Sequence, residues 1–158
     1  MVKEFKGENR FLSNFYMAPV TYNGLTYTNS EAAFHAQKTL DEKIRKEFET
    51  LNPSDAKRKG RKLDLRPDWE KVKVNIMYEI TKAKFSQNED IRYKLLYHTG
   101  REHLEEDTTG WHDNYWGNCR CEKCAHIKGR NKLGKILMKV REELRDEVQC
   151  KESKETDC

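Results

Sequence analysis

Asn23-Gly24 stands between Val20-Thr21-Tyr22 and Leu25-Thr26-Tyr27. Two short runs rich in β-branched and aromatic residues thus flank a dipeptide suited to the positive φ angles of a type I′ turn. The pattern predicts a β-hairpin. The first thirty residues as a whole read as extended. Beyond the hairpin the apolar spacing changes to three and four. Ala33, Ala36, Leu40, Ile44 and Phe48 form one stripe, which predicts a helix. Pro53 breaks that run, and a short helix is predicted after Ser54, ending near Gly60. Trp69, Val72, Ile76, Ile80 and Ala83 mark a second long helix, and Ile91 and Leu95 a shorter one. Leu133, Ile136, Val140 and Leu144 mark a final amphipathic helix. The expected fold class is α+β, mainly α: a compact single domain with a small N-terminal sheet and several amphipathic helices.

Residues 99–130 show no sustained period and are rich in Gly, Thr, Asn and Cys. Irregular stretches of that length inside a compact domain tend to be functional. Residues 149–158 are polar and aperiodic. They read as a disordered tail after a domain spanning residues 1–148.

The chain has 158 residues, enough for one hydrophobic core without disulfide or metal staples. Charged residues make up 37% and hydrophobic ones 35%, but aromatics reach 10%, which favours a folded domain over a disordered one. The net charge is only +4, with Lys and Arg interspersed among Asp and Glu. That is not the strong basic excess of a DNA-binding module. No apolar h-region follows Met1, no run approaches a membrane span, and five cysteines do not make a secreted disulfide framework. A cytoplasmic protein with reduced thiols and no membrane partner is expected.

Several polar-aromatic clusters stand out: residues 11–16 (FLSNFY), 29–34 (NSEAAF), 56–61 (AKRKGR) and 111–117 (WHDNYWG), with 129–134 (GRNKLG) opening the last helix. Read with A-K-F-x-Q-N at 83–88, Leu95-Leu96 and Thr99-Gly100, they form an ordered series. It contains S-E-x-A-F-x-A-x-K at 30–38, A-K-x-x-G-R at 56–61, D-x-Y-W-G at 113–117 and G-x-N-x-L-G-x-x-L-M-x-V-R at 129–141. This order and spacing resemble the NADAR family, which includes the YbiA-type N-glycosidases of riboflavin intermediates. The resemblance runs from Phe11 to Leu144.

The resemblance implies hydrolysis of a C–N bond between ribose and an amine-bearing base. The substrate it implies is a ribosylaminopyrimidine phosphate, released as ribose 5-phosphate and an aminopyrimidine. Other members remove ADP-ribose from guanine bases in nucleic acid. A ribosylamine can open to an imine, which a lysine amine can attack and hold as a Schiff base. A carboxylate must move protons or stabilise charge at the anomeric carbon. A direct path through an oxocarbenium-like state, with a carboxylate guiding water, is the alternative. Lys57 is the candidate amine, and Glu31 and Asp113 are the candidate carboxylates. Asn14 and Asn131 are expected to fix sugar hydroxyls or base edges. Phe15, Trp111 and Trp116 offer flat surfaces for the base, and Arg61 suits a phosphate.

Each residue also has a purely structural reading. Glu31 completes a capping box begun by Thr28. Lys57 lies in a solvated charge run, Asp113 can cap a turn, and Trp116 can be core. Asn131 can cap the last helix, and Arg61 can pair with a surface carboxylate. Cys119, Cys121, Cys124 and His126 form a possible zinc set with one Cys-x-x-Cys spacing. Structural zinc usually draws two ligand pairs from separated segments, however, and this set is packed into eight residues, so no cofactor is expected. The competing functions are an ADP-ribosyl-guanine hydrolase, a module that binds ADP-ribose or another nucleotide without catalysis, and a zinc-knuckle nucleic-acid binder.

Overall fold

The structure is a computed structural model that describes residues 1–156 of the chain. It is mainly helical, with one two-stranded antiparallel sheet. The chain gathers into two compact units. One is Lys6–Glu89; the other joins Met1–Phe5 to the chain from Asp90 onward.

The first unit begins with a 3-10 helix, Gly7–Leu12, where the sequence reads as extended. Phe11 and Leu12 are buried in it, which makes the turn an anchor. Strands β1 (Met17–Tyr22) and β2 (Leu25–Asn29) follow, paired through Val20–Tyr27, Thr21–Thr26 and Tyr22–Leu25. Asn23 and Gly24 both have positive φ, 50° and 83°, as the predicted type I′ turn requires.

The apolar stripe from Ala33 to Phe48 does not form one helix. It divides into α1 (Ser30–Ala36) and α2 (Glu42–Glu47). The Thr39 hydroxyl accepts the Asp41 N–H, and the Asp41 carboxylate accepts the Lys43 N–H, so a new N-cap forms within the stripe. Leu40 lies in the break and is exposed. Helix α3 (Pro53–Gly60) ends at Gly60 as expected but starts earlier than the expected position after Ser54: Asn52 is its cap, and Pro53 opens the first turn instead of only breaking the preceding run. Helix α4 (Trp69–Gln87) buries Trp69, Ile76, Met77, Ile80 and Phe85.

Lys84 is also buried on α4, only 1% exposed. Its ammonium donates to the carbonyls of Phe11 (2.7 Å) and Ser13 (3.0 Å). Gln87 pairs with both backbone groups of Thr21, and the Asn88 amide donates to Pro19 O. The A-K-F-x-Q-N motif therefore ties α4 to the 3-10 turn and to β1.

The second unit contains α5 (Glu89–Tyr93, from Asp90), a π-turn Lys94–His98, a 3-10 turn Glu122–Cys124, and α6 (Lys132–Thr156). Leu133, Ile136, Leu137, Val140 and Leu144 bury one face of α6. Arg141, also buried, donates to Thr99 Oγ1 and Glu102 O, fixing the start of the irregular stretch. That stretch is held by single bridges, Val2–Leu104 and Asp107–Asn118, and by loop hydrogen bonds. The expected disordered tail is helical as far as Thr156. Residues 149–156 contain no Gly or Pro and are rich in Lys and Glu, so they extend a helix already nucleated. Residues 157–158 lie outside the described residues. Among the described residues no helix is long and apolar enough to cross a membrane.

Candidate active site

Glu31 is set in place by the start of α1. The helix cap is Asn29, whose side chain accepts the Ala32 N–H at 2.8 Å and donates to Leu51 O. The capping box from Thr28 is therefore replaced: Asn29 is the cap, and Glu31 is left for other work. The Glu31 N–H donates to Asn14 O at 3.1 Å, joining the Phe11–Asn14 segment to the helix. The Glu31 carboxylate meets His35 Nε2 at 2.9 Å, one turn along α1, and both side chains are largely buried.

Helix α3 passes close to His35 because residue 60 is glycine. A β-carbon at Gly60 would lie 2.2 Å from His35 Nδ1. That nitrogen is buried and has no hydrogen-bond partner in the structure. The G of A-K-x-x-G-R therefore makes room for the imidazole that holds Glu31.

Lys38, the last residue of S-E-x-A-F-x-A-x-K, was not among the residues expected in the site. Burial pushes its pKa below the usual lysine value; the nearby Glu31 carboxylate opposes this and the Arg61 guanidinium adds to it. A carboxylate, a lysine eased toward neutrality and an arginine thus share one electrostatic environment. Arg61 itself is exposed, just after α3. Lys57 is half-buried on α3, with its ammonium 5.9 Å from the centre of the Phe15 ring. Phe15 is 43% exposed, free to present a flat face beside that amine. The Asn14 side chain is less available: its amide lies 3.4 Å from Met77 Sδ.

Asp113, Trp111, Trp116 and Asn131 belong to the second unit. One carboxylate oxygen of Asp113 accepts the N–H groups of Tyr115 (2.8 Å) and Trp116 (2.9 Å). Its carbonyl accepts the Thr108 hydroxyl. Asp113 therefore caps the turn that carries Trp116, as its structural reading anticipated. Trp116 is half-buried, edge-on to Tyr115 at 4.9 Å, while Trp111 is exposed. Asn131 is turned inward. It is buried at φ 48°, and its amide donates to Leu104 O at 2.9 Å rather than facing solvent. Gly134 allows this, since a β-carbon there would collide with Leu104 O and the Asn131 amide.

The family model of the NADAR domain matches residues 2–145. The chain belongs to the NADAR domain family. It is 42% identical over 135 residues to N-glycosidase YbiA of Escherichia coli (strain K12), covering 84% of this chain and 79% of that protein. An N-glycosidase of Nostoc punctiforme is 36% identical over 140 residues, covering 85% of each chain. A riboflavin biosynthesis protein of Vibrio vulnificus is 36% identical over 141 residues, covering 86% of this chain and 36% of that protein. The NMR structure of E. coli YbiA superposes with a TM-score of 0.77 at 37% identity, covering 94% of this chain and 89% of that one. This NADAR member is an enzyme, a hydrolase acting on N-glycosyl bonds.

Proposed function

We propose that the chain hydrolyses the bond between ribose C1 and the exocyclic amine of a ribosylaminopyrimidine phosphate. The products are ribose 5-phosphate and a free aminopyrimidine. The observation that carries this reading is the largely buried Glu31 carboxylate held at 2.9 Å by His35 Nε2, with Lys38, its pKa pushed down by burial, in the field of that carboxylate. A neutral amine is the nucleophile that an opened ribosylamine requires. The riboflavin biosynthesis relative favours a small pathway intermediate over nucleic acid.

The chemistry runs as a transimination. The ribose ring opens, leaving C1 doubly bonded to the base nitrogen. The lysine nitrogen adds to C1, a proton moves to the base nitrogen, and the aminopyrimidine leaves. The sugar stays bound to lysine as an imine. Water then adds to C1, and lysine departs with a proton to restore the free sugar. Glu31, oriented by His35, is the group that relays those protons. Arg61 receives the phosphate, and Phe15 faces the pyrimidine. Lys38 is taken as the amine because it lies in the field of the Glu31 carboxylate and burial pushes its pKa down. Asp113 acts by holding the Trp116 turn.

Two substrates separate the alternatives: a ribosylaminopyrimidine phosphate, and ADP-ribosylated guanine in an oligonucleotide. Release of aminopyrimidine from the first supports the reading. Turnover of the second alone would transfer the activity to ADP-ribosyl-guanine removal. Binding of ADP-ribose with no turnover of either would leave a recognition module. Glu31→Gln is expected to lower the rate at least about a hundredfold.

A further inference from the structure

Within the second unit, four side chains converge from separate turns. The ligand-capable atoms of His112, Cys119, Cys121 and Cys124 all lie within 4.8 Å of one another. His112 Nδ1 is 3.2 Å from Cys119 Sγ, 3.4 Å from Cys121 Sγ and 3.9 Å from Cys124 Sγ. Cys119 and Cys121 Sγ are 3.3 Å apart. With Zn–N near 2.0–2.1 Å and Zn–S near 2.3 Å, a tetrahedral ion has N···S edges of about 3.6 Å and S···S edges of about 3.8 Å. The three N···S separations and the Cys119–Cys121 separation lie within about half an ångström of those edges, and no two of the four atoms are more than 4.8 Å apart. All three cysteines are free thiols rather than disulfide-bonded.

The backbone aims them. His112 holds a φ of 56°, a left-handed conformation disfavoured for a residue with a β-carbon, and its N–H donates to Thr108 O at 2.8 Å. Cys119 is fixed by an N–H bond to the Asn114 side chain. Cys124 is brought back to Cys121 by the 3-10 turn, its N–H donating to Cys121 O. Arg120, between two of the thiols, is tied to Glu105 and to Lys3 O. Cys119 and Cys124 are buried, so the set has a closed interior side.

We propose that His112, Cys119, Cys121 and Cys124 bind one zinc ion as a structural Cys3His centre. Three thiolates and an imidazole form a closed, soft, four-ligand set with no place left for a catalytic water, which is the signature of structural zinc. His126, the fourth ligand suggested by Cys-rich spacing, is exposed and lies outside the cluster. The imidazole comes instead from seven residues before Cys119. The ion would cross-link the segment carrying Trp111 and Asp113 to the 3-10 turn at Cys124.

The test is elemental analysis of the full chain purified after expression in zinc-supplemented medium. One zinc per chain is expected, retained in His126→Ala and lost in His112→Ala and Cys121→Ser. Cobalt exchanged into the protein should give the intense visible bands of tetrahedral Co(II) with thiolate charge-transfer absorption. Should a variant fail to fold, alkylation of the unmodified protein decides the matter. Cys119, Cys121 and Cys124 should resist iodoacetamide until a chelator is added, while Cys150 reacts throughout. Absence of zinc, copper in its place, retention of the ion in His112→Ala, or equal alkylation with and without chelator would each overturn the assignment.

Discussion

Gly60 and His35 are packed so closely that a β-carbon on the glycine would come within 2.2 Å of the imidazole Nδ1. The same imidazole holds the Glu31 carboxylate at 2.9 Å through its other nitrogen. The closeness of α3 to α1 and the orientation of the candidate proton carrier thus depend on one missing methyl group.

Gly60→Ala should therefore act on both stability and turnover. Overpacking of this kind costs about 1–3 kcal/mol, and the displaced ring no longer orients Glu31. Urea unfolding and steady-state kinetics check it. A lower midpoint with a reduced kcat is expected. An unchanged kcat would separate His35 from the chemistry.

Lys38 sets a pH dependence. Its pKa is lowered, chiefly by burial, so the neutral amine becomes available below the ~10.4 of a solvated lysine. Rate and borohydride trapping should both rise with pH along a limb whose midpoint lies below that value. The folded chain also binds fewer protons at this site than the unfolded chain. Stability from Lys38 is thus lowest below the folded pKa and recovers as pH rises toward the unfolded one. Lys38→Met should remove the limb and flatten that part of the stability profile.

Lys84 is a buried charge with a structural task. Lys84→Met keeps much of the volume but leaves the carbonyls of Phe11 and Ser13 without their donor. A loss on the order of 3 kcal/mol is expected by chemical denaturation. A near-neutral result would mean that the 3-10 turn finds another partner for those carbonyls.

Asp113 separates capping from catalysis. Asp113→Asn keeps an oxygen to accept the Tyr115 and Trp116 N–H groups. It should retain most of the stability and much of the activity. Asp113→Ala should lose about 1 kcal/mol and slow turnover through disorder of the Trp116 turn. A collapse of kcat in the Asn variant with stability intact would restore Asp113 as a proton carrier.

The hairpin was legible because Asn23-Gly24 leaves its backbone little choice. The stripes on α4 and α6 were legible because their apolar spacing is long and uninterrupted. The break between α1 and α2 was not, since Leu40 and Ile44 keep the helical spacing across a turn made by Thr39 and Asp41. Glu31 stands out as a candidate through its motif, whereas His35, four positions along the same helix, carries no signal until the fold shows it against that carboxylate. Lys38 carried the same signal as Lys57, a lysine in a family-like motif. Both lysines are half-buried in the folded chain, so the sequence alone does not rank them. The fourth member of the thiol cluster was missed for a related reason: sequence spacing favours His126, whereas a left-handed turn at His112 brings the earlier imidazole to the sulfurs.

The most direct test of the central proposal is borohydride reduction during turnover of a ribosylaminopyrimidine phosphate, followed by peptide mass spectrometry. Release of aminopyrimidine and a reduced ribose 5-phosphate adduct on Lys38, absent from Lys38→Ala, are expected. Turnover that persists in Lys38→Ala, or an adduct on Lys57 instead, would contradict it.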